Sequence, residues 1–287
     1  MANLKEIRNR IQSVSSTMQI TSAMKMVSAA KLKKAQHAIT AMRPYAEKLT
    51  ELLQNLSATL DAGGGSPFAE QRPLDKILLV AITSNRGLAG AFNSNIVKAS
   101  QQLVTKTHAG KQIDFVTLGK KGNDIIKKTH TVINHNASIF DELSFGKSSE
   151  IAEMLMAQFE NGNYDKIILV YNTFKNAATQ IVATEQFLPI VPPKAAQSGT
   201  ATDYIFEPNK AEIVKELIPK SLKTQLFKAL RDSAASEHGA RMTAMHKATD
   251  NATELRDSLK LQYNKARQAA ITNEILEIVG GAEALAG

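Results

Sequence analysis

The sequence predicts an α/β protein in which a long antiparallel coiled coil of N- and C-terminal helices is joined to a Rossmann-like open-sheet α/β domain. Two observations support this fold class. Apolar and small residues near both ends recur in alternating steps of three and four, which is the pattern of a heptad seam. The middle of the chain instead alternates short apolar runs with helical stretches, as parallel sheets do. We therefore predict three segments: residues 1–60, 74–190 and 208–287.

The first segment, residues 1–60, has the composition of one long helix. It carries two heptad runs that do not share a phase, so we expect the supercoil to change between them. Pro44 predicts a kink, and the glycine- and proline-rich residues 61–67 should end the helix. Such a helix would be about 85 Å long, too long to pack wholly on a small domain. The first run is Leu4, Ile7, Ile11, Val14, Met18 and Thr21, and the second is Ala35, Ala38, Met42, Tyr45, Leu49, Leu52 and Leu56.

The middle segment, residues 74–190, contains five predicted strands. The run KILLVAITS is typical of a strand buried on both faces, and the last two strands flank the turn FKNAAT as a hairpin-like pair. Helices should follow NRGLAGAFN and GKKG, and a third helix should begin with Ser148 as its capping residue. The remaining strands are QIDFVTLG, HTVINH, DKIILVYN and QIVATEQFLPI.

The last segment, residues 208–287, is again helical, with a kink or a restart expected at Pro219. Its seam is rich in alanine, which lets two helices approach closely. The simplest arrangement pairs it in antiparallel fashion with the N-terminal helix, and this pair would project from the α/β domain as a rod. The seam is Met245, Ala248, Ala252, Leu255, Leu259, Gln262, Ala266 and Ala269.

The N-terminal helix has charge of one sign: from Ile7 to Ala46 there are seven Lys or Arg and no acid. The whole chain has a net charge of +8 and a pI of about 9.5, which suits an anionic partner. Few arginines and aromatic residues argue against nucleic acid, and the small side chains between the lysines argue against a membrane surface. An acidic protein is the favoured partner. A solvated helix face and a basic coiled-coil nucleic-acid-binding protein are the alternatives.

The composition also excludes some classes of site. The chain has no cysteine, so it forms neither disulfides nor zinc–thiolate sites. No apolar run approaches the roughly 20 residues that span a bilayer. The N-terminus lacks the apolar core of a signal peptide. We expect a cytoplasmic, soluble chain that does not itself span a membrane.

No motif predicts catalysis. The glycine-rich residues 85–93 follow a strand and could cradle phosphate, but they match neither GxxxxGK[ST] nor GxGxxG, so a tight turn is the simpler interpretation. Gly146-Lys147-Ser148 ends like a Walker A loop, but Asp141 stands where the first glycine is required. The six histidines show no metal-ligand spacing. We expect no catalytic residue, no metal and no cofactor; a nucleotide-binding enzyme is a weaker alternative.

Several longer motifs carry a resemblance over essentially the whole chain: LKEIRNRIQSV, ITSAMKMVSAAKL, SNRGLAG, DYIFEP, ASEHGARMTAMHKATDNA and YNKARQAAITNEILEIVGGAEAL. With these motifs the sequence resembles the γ subunits of bacterial F-type ATP synthases. It departs from the family in one loop, which usually reads SDRGLCG, since Asn85 replaces the acid and Ala89 the cysteine. It also lacks the cysteine-bearing regulatory insertion of the chloroplast members.

The resemblance implies a non-catalytic rotor subunit. The coiled coil would be the central shaft inside a ring of α and β subunits. The α/β domain would sit on the membrane c ring beside the ε subunit, peripheral to the inner membrane on its cytoplasmic side. The shaft would transmit torque that couples proton flow to ATP synthesis.

The resemblance also assigns roles to individual residues. Met24, Lys25 and Met26 match a segment that faces an acidic β-subunit loop. Arg267, Gln268 and Thr272 match β-subunit contacts that act as a catch. Tyr204 and Glu207 match the foot that meets the c ring.

Overall fold

The computed structural model describes residues 4–59, 67–190 and 210–286. Its residues group into two units, each of which is described by itself below. The first unit combines Met1–Ser28 with Met242–Gly287, and the second is Ala29–Arg241. Both long helices therefore contribute to both units. The predicted division into residues 1–60, 74–190 and 208–287 separates helical segments from the α/β segment and does not correspond to these units. It stays a prediction.

The described chain contains five α-helices and five strands. The two long helices are α1, Leu4–Thr59, and α5, Lys210–Ala286. Between them lie β1 Lys76–Ile82, α2 Phe92–Gln102, β2 Gln112–Leu118, α3 Lys120–Ile126, β3 Val132–Asn136, α4 Phe145–Glu160, β4 Lys166–Phe174 and β5 Gln180–Leu188. A π-helical turn, Leu103–Thr107, continues α2.

The five strands form one open sheet in the order β3-β2-β1-β4-β5. The first four are parallel, and β5 runs antiparallel to β4. This confirms the open-sheet α/β fold and the terminal hairpin. Leu79 at the centre of β1 lies opposite Phe115 on one neighbour and Ile168 on the other. The apolar run of β1 follows from this central position, because all residues from Ile77 to Ile82 are fully buried.

Helices cover both faces of the sheet. On one face α2 and α3 pack over Ile77, Leu79 and Ala81. On the other face α4 and the N-terminal part of α5 pack over Leu78, Val80 and Ile82. Alternate residues of one strand thus enter two separate cores, as the pleat requires.

The heptad pattern of α1 differs from the prediction in its second half. The buried and half-buried positions continue from Ile7 to Leu49 in a single three-four series, with no change of phase. Ile39 and Ala46 are buried, whereas Tyr45 is 49% exposed. The predicted second run is therefore wrong at Ala38 and Tyr45, where the series uses Ile39 and Ala46, whereas Ala35, Met42 and Leu49 fall in the series as predicted. The apolar ring of Tyr45 suggested a core position, but the burial follows the unbroken 3.5-residue period.

Two predicted helix boundaries also change. Helix α4 begins one turn before Ser148, and Ser144 caps it by accepting a hydrogen bond from the Lys147 backbone N–H at 3.4 Å. Ser148 is instead buried inside the helix. Helix α5 continues through Pro219, which excludes a restart there. The kink predicted at Pro44 stays a prediction. The stretch at 61–66 and the linker at 191–200 lie outside the described residues.

Candidate partner-contact surface

The candidate surface lies on the first unit, where α1 and α5 run side by side. The Oγ1 atoms of Thr21 and Thr249 are 2.8 Å apart, and Lys25 Nζ lies 3.4 Å from His246 Nδ1. Thr253 Oγ1 donates to Met18 Sδ at 3.4 Å. Residue numbers rise on one helix as they fall on the other, so the pair is antiparallel. This part of the predicted coiled coil is confirmed.

The seam of this pair is thin and partly polar. On α1 its most buried positions are Ile7, Thr21 and Ser28, separated by multiples of seven residues. Ser28 Oγ donates to the Met24 carbonyl at 2.7 Å, so its hydroxyl is paired within the helix. Small side chains at these positions let two backbones approach closely. We infer that hydrogen-bonded Thr and Ser make up part of the contact that a wider apolar seam would supply.

The seam of α5 is shifted from the predicted one at several positions. Met245, Ala252 and Leu259 are buried as predicted, but Leu255 is 50% exposed. The observed series also includes Thr249, Arg256 and Tyr263, which are half-buried, and the predicted Ala248 and Ala266 are half-buried as well. Arg256 Nη1 donates to Met18 Sδ at 3.4 Å across the pair. The prediction missed these residues because it placed the intermediate positions one residue earlier, at Ala248, Leu255 and Gln262. In the structure Thr, Arg and Tyr cover the seam with their apolar parts. Gln262 and Ala269 are exposed.

The structure places the predicted residues of α1 on two sides of the helix. Lys25 is half-buried at a seam position, where its ammonium approaches His246. Met24 is also half-buried, whereas Met26 is 64% exposed. Met26 is therefore free to contact a partner, and Lys25 is partly engaged within the pair.

The predicted residues of α5, Arg267, Gln268 and Thr272, are all exposed. Thr272 Oγ1 donates to the Gln268 backbone carbonyl at 2.9 Å, one helical turn back, so this bond does not use the side-chain amide of Gln268. By the antiparallel pairing, Met24 lies beside residues near 247. Since Arg267 is 20 residues further along α5, about 30 Å separates the two predicted groups. They form two contacts, not one.

The predicted foot residues, Tyr204 and Glu207, lie outside the described residues. Their proposed contact with a c ring rests on the sequence resemblance alone.

The surface carries apolar residues that the sequence reading did not single out. Every residue of α5 from Arg267 to residue 284 is exposed. On α1, Ile20, Met26 and Val27 are exposed. The sequence signal that could have identified them is that these large aliphatic residues lie outside the heptad seam. The exposed set on α5 is Leu261, Ile271, Ile275, Leu276, Ile278 and Val279.

The second unit offers a possible ligand site at the carboxyl ends of β1 and β4, where open α/β sheets usually bind ligands. In this chain, residues of α5 make the contacts at this edge of the sheet. Ser236 Oγ donates to the Asn172 carbonyl at 3.1 Å, and the Asn172 amide donates to the Phe92 carbonyl at 3.2 Å. A Cβ on Gly239 would lie 3.3 Å from the Ala177 backbone. The helix packs directly against this end of the sheet.

Arg241 joins α5 to the glycine-rich loop. Its Nη2 donates to the carbonyls of Arg86 and Gly87 at 3.1 and 3.2 Å, and its Nε donates to Gly87 at 3.3 Å. Its Nη1 donates to Glu237 at 2.6 Å in a buried ion pair. The guanidinium thus fixes the glycine-rich loop to α5 through its backbone carbonyls.

This environment shifts the pKa of two neighbouring groups. Burial raises the pKa of Glu237, although Arg241 opposes that shift by ion pairing and hydrogen bonding. Burial lowers the pKa of His238 to about 4, with a further contribution from the charges of Arg241 and Lys31. His238 is therefore neutral at pH 7, and Glu237 is held as the partner of Arg241.

The GKKG turn is also structural. A Cβ on Gly119, whose φ is +106°, would lie 2.2 Å from the Thr83 carbonyl oxygen, and one on Gly122 would lie 2.6 Å from the Thr83 side chain. The first amides of α3 donate to Asn85 Oδ1, the Ser84 carbonyl and Thr83 Oγ1. These oxygens already accept from the backbone N–H groups that would otherwise bind an anion. The interpretation of both glycine-rich loops as turns fits the structure.

Asn85, one of the two departures from the family loop, has a defined role. Its Nδ2 donates to the Ala137 carbonyl at 2.7 Å, and its Oδ1 accepts from the Lys120 amide at 3.1 Å. The amide group needs both its donor and its acceptor here. An ionised aspartate could provide only the acceptor.

Within the described ranges, no group of three or more His, Asp or Glu residues is arranged to hold a metal ion. In the same part of the chain, no helix has the length and apolar composition needed to cross a membrane.

Comparison with known proteins places the whole chain in one group. The family model described as ATP synthase matches residues 3–285. The ATP synthase gamma chain of Flavobacterium johnsoniae is 72% identical over 100% of both chains, and that of Christiangramia forsetii is 68% identical over 287 residues with the same coverage. The Geotalea uraniireducens protein of the same name is 46% identical over 100% of both chains.

Solved structures share the fold. In the mitochondrial ATP synthase of Euglena gracilis, described as OSCP/F1/c-ring, one chain aligns with a TM-score of 0.68 at 21% identity, over 98% of this chain and 94% of its own. A chain from the central stalk and c ring of the Tetrahymena thermophila mitochondrial enzyme aligns with a TM-score of 0.61 at 24% identity, over 80% of this chain and 99% of its own.

Proposed function

Because the chain belongs to the ATP synthase gamma chain family, we infer that it is the central-stalk rotor subunit of a proton-translocating ATP synthase. In this role it would transmit torque between a membrane c ring and the catalytic ring of α and β subunits, and so couple proton flow to ATP synthesis. The chain itself would not catalyse the reaction.

The observation that carries this proposal is the exposed end of α5. Beyond Ala266 no residue up to 284 is buried against the described chain, although five large aliphatic residues lie there. Apolar surface of this kind usually marks a contact with another protein. A single helix with exposed aliphatic residues on several sides fits a position in which other subunits surround it. We propose that the α and β subunits surround this end of α5.

Two further contacts with the β subunit are proposed on the first unit. Met26 is exposed next in sequence to the half-buried Met24 and Lys25, and Ile20 and Val27 add further exposed apolar side chains on α1. Arg267, Gln268 and Thr272 form the second contact, about 30 Å along the pair. A shaft that meets its stator at two levels can resist tilting while it turns. The foot contact of Tyr204 and Glu207 with the c ring, beside the ε subunit, is proposed from the resemblance.

The position of the subunit follows from the same proposal. As part of the stalk it would be peripheral to the inner membrane, on the cytoplasmic side, and held there by the c ring. The chain would need no metal or cofactor of its own, since the nucleotides bind the α and β subunits.

The test uses the complete enzyme in inverted membrane vesicles. With the chain present, ATP hydrolysis should drive proton uptake, and the isolated chain should hydrolyse no ATP. Without the chain, any remaining hydrolysis should no longer pump protons. A stable assembly of α and β subunits on the membrane that pumps at the normal ratio without this chain would overturn the proposal.

The alternative of a basic coiled-coil nucleic-acid-binding protein has no support from the relatives, whose printed names are ATP synthase gamma chains. It predicts tight and steeply salt-dependent DNA binding. We expect no mobility shift of duplex DNA with the assembled enzyme at about 0.15 M salt, where weak electrostatic contacts are screened.

A further inference from the structure

His246 lies between two side chains of opposite charge on the first unit. Its Nδ1 atom is 3.4 Å from Lys25 Nζ on α1 and 3.4 Å from Asp250 Oδ2, one turn further along α5. The side chains of His246 and Asp250 are more than half exposed, whereas Lys25 is half-buried. One ring nitrogen thus faces an ammonium group and a carboxylate. It has either a lone pair or a proton, so it can bind only one of them at a time.

The charge of the ring decides which partner Nδ1 binds. A neutral imidazole has one acceptor nitrogen, and the nearby ammonium group favours Nδ1 in that role, so Lys25 donates to it. A protonated imidazole has a proton on both nitrogens. Its Nδ1 then donates to Asp250, and the ring presents a positive charge to Lys25. Protonation therefore replaces the hydrogen bond from Lys25 with repulsion of Lys25.

The other ionisable groups near this contact do not provide a second partner for Lys25. On α1 no other ionisable side chain lies within five residues of Lys25, and the helix has no acid from Ile7 to Ala46. On α5 the ionisable groups within four residues of His246 are Asp250 and the exposed Lys247, which has the same charge as Lys25. A released Lys25 therefore finds no carboxylate on its own helix.

We propose that His246 is a positioning residue that holds or releases Lys25 according to its own protonation. The neutral ring keeps the ammonium group within the helix pair, and the protonated ring frees it for a partner. Histidine is the side chain whose charge ordinarily changes between about pH 5 and 8, so the exchange can be followed in that range. The inference rests on the proposed function for its consequence, since that function places Lys25 at the β subunit. The contact between Lys25 and the β subunit would then depend on pH.

Competitive acetylation of the isolated full-length chain with acetic anhydride tests the exchange. The reactivity of Lys25 is measured relative to the exposed Lys260 on α5, so that the general effect of pH on amines cancels. From about pH 8 to about pH 6 the relative reactivity of Lys25 should rise about threefold, the size expected for an exposed contact between charged groups.

Two variants assign this rise to the ring. His246→Asn keeps a hydrogen-bonding group that cannot be protonated, and it should give the same relative reactivity at both pH values. The control His37→Asn, at an exposed position of α1, should keep the full rise. Because both rings are exposed, both variants should fold normally. A relative reactivity that does not change with pH in the unaltered chain, or a rise that persists in His246→Asn, would overturn the inference.

The purified complete enzyme shows the consequence for function. The ATP hydrolysis rate of the His246→Asn enzyme, divided by that of the unaltered enzyme, should change about twofold or more between about pH 8 and about pH 6. In a Lys25→Gln background the same ratio should stay constant, because no ammonium group is left to release. A ratio that stays constant in both backgrounds, or changes equally in both, would overturn the pH dependence of the contact. If the acetylation results hold but the chain is absent from the purified enzyme, the proposed function fails and the positioning role of His246 is retained.

Discussion

The two units of this protein are stabilised in different ways. The sheet of the second unit is covered on both faces, and β1 is fully buried from Ile77 to Ile82. The helix pair of the first unit has a narrow seam with Thr, Ser and Arg, and its far end exposes aliphatic residues. A unit with its own core can hold its shape alone. The helix pair leaves apolar surface for other proteins to cover, which is what a rotor shaft inside a ring requires.

The largest expected effect is loss of the sheet core. Phe159→Ala removes a fully buried ring that also packs beneath the Arg72 guanidinium. The cavity should lower the free energy of unfolding by about 3–5 kcal/mol. Leu261→Ala, at a 64% exposed position of the first unit, is the control and should change it by about 0.5 kcal/mol or less. Urea denaturation of the isolated chain measures both. Equal effects would contradict the distinction between the units.

Removal of Arg241 should have the next largest effect. Arg241→Met leaves Glu237 buried without its ion-pair partner and frees the loop carbonyls of residues 86 and 87. We expect a loss of about 3 kcal/mol, with smaller loss in the double variant Glu237→Gln/Arg241→Met. Hydrogen exchange of the loop amides should also rise. If the single variant is as stable as the double, the buried charge is not the cause.

Acid should destabilise the second unit through His238. Its pKa is about 4 in the folded chain and 6.5 as the ordinary value, so the unfolded chain takes up the proton first. The stabilisation is complete above pH 6.5 and is lost as the pH falls towards 4, by about 3 kcal/mol at most. The raised pKa of Glu237 acts in the opposite direction, because folding favours its protonated form.

The measurement is the unfolding free energy from pH 7 to pH 4. His238→Gln should flatten its decline, whereas His37→Gln, at an exposed position of α1, should not. A decline of the same slope in both variants would exclude His238 as the responsible group.

The helix pair should respond more weakly to changes in its seam. Thr21→Ala removes the 2.8 Å contact with Thr249 and should cost about 1 kcal/mol. Thr17→Ala, which loses only a bond to the carbonyl of Ser13 on its own helix, is the control. Because the two seam hydroxyls bond each other, Thr21→Ala and Thr249→Ala should not be additive. Additive losses would show that the hydroxyls act independently.

The smallest effect on stability is expected at the exposed end of α5. Ile275→Gln should leave the unfolding free energy of the isolated chain within about 0.5 kcal/mol, since the residue is exposed. The same change should weaken co-purification with the α and β subunits. Normal assembly of the variant would mean that this end is not a contact surface.

Much of the fold could be predicted from the sequence, because the strongest signals were local. The apolar run of β1 predicted a strand buried on both faces, and the turn residues between β4 and β5 predicted the terminal hairpin. The order of the other strands was not predicted. The antiparallel pairing followed from two heptad patterns at opposite ends of the chain. These features depend on the period of a pattern, which survives small errors at single positions.

The predictions that were wrong or incomplete concern single side chains, whose burial depends on which residues of another element they contact. Tyr45 has an apolar ring, yet it is exposed; Arg256 is charged, yet it lies in the seam. Whether a long side chain covers a seam depends on the facing helix, which the sequence pattern alone does not give. The same reason hid the role of Arg241, since its loop partner is 154 residues away. The predicted contacts at Met24, Lys25, Met26, Arg267, Gln268 and Thr272 stay predictions for the same reason: their partners are on other chains.

The contact between Thr21 and Thr249 joins residues that are 228 positions apart in the chain. During synthesis, at about 5–20 residues per second, the N-terminal helix would therefore wait roughly 10–50 seconds for its partner to be made. During that time its seam has nothing to pack against, while the sheet can already form. The pair would be the last part of the molecule to be completed.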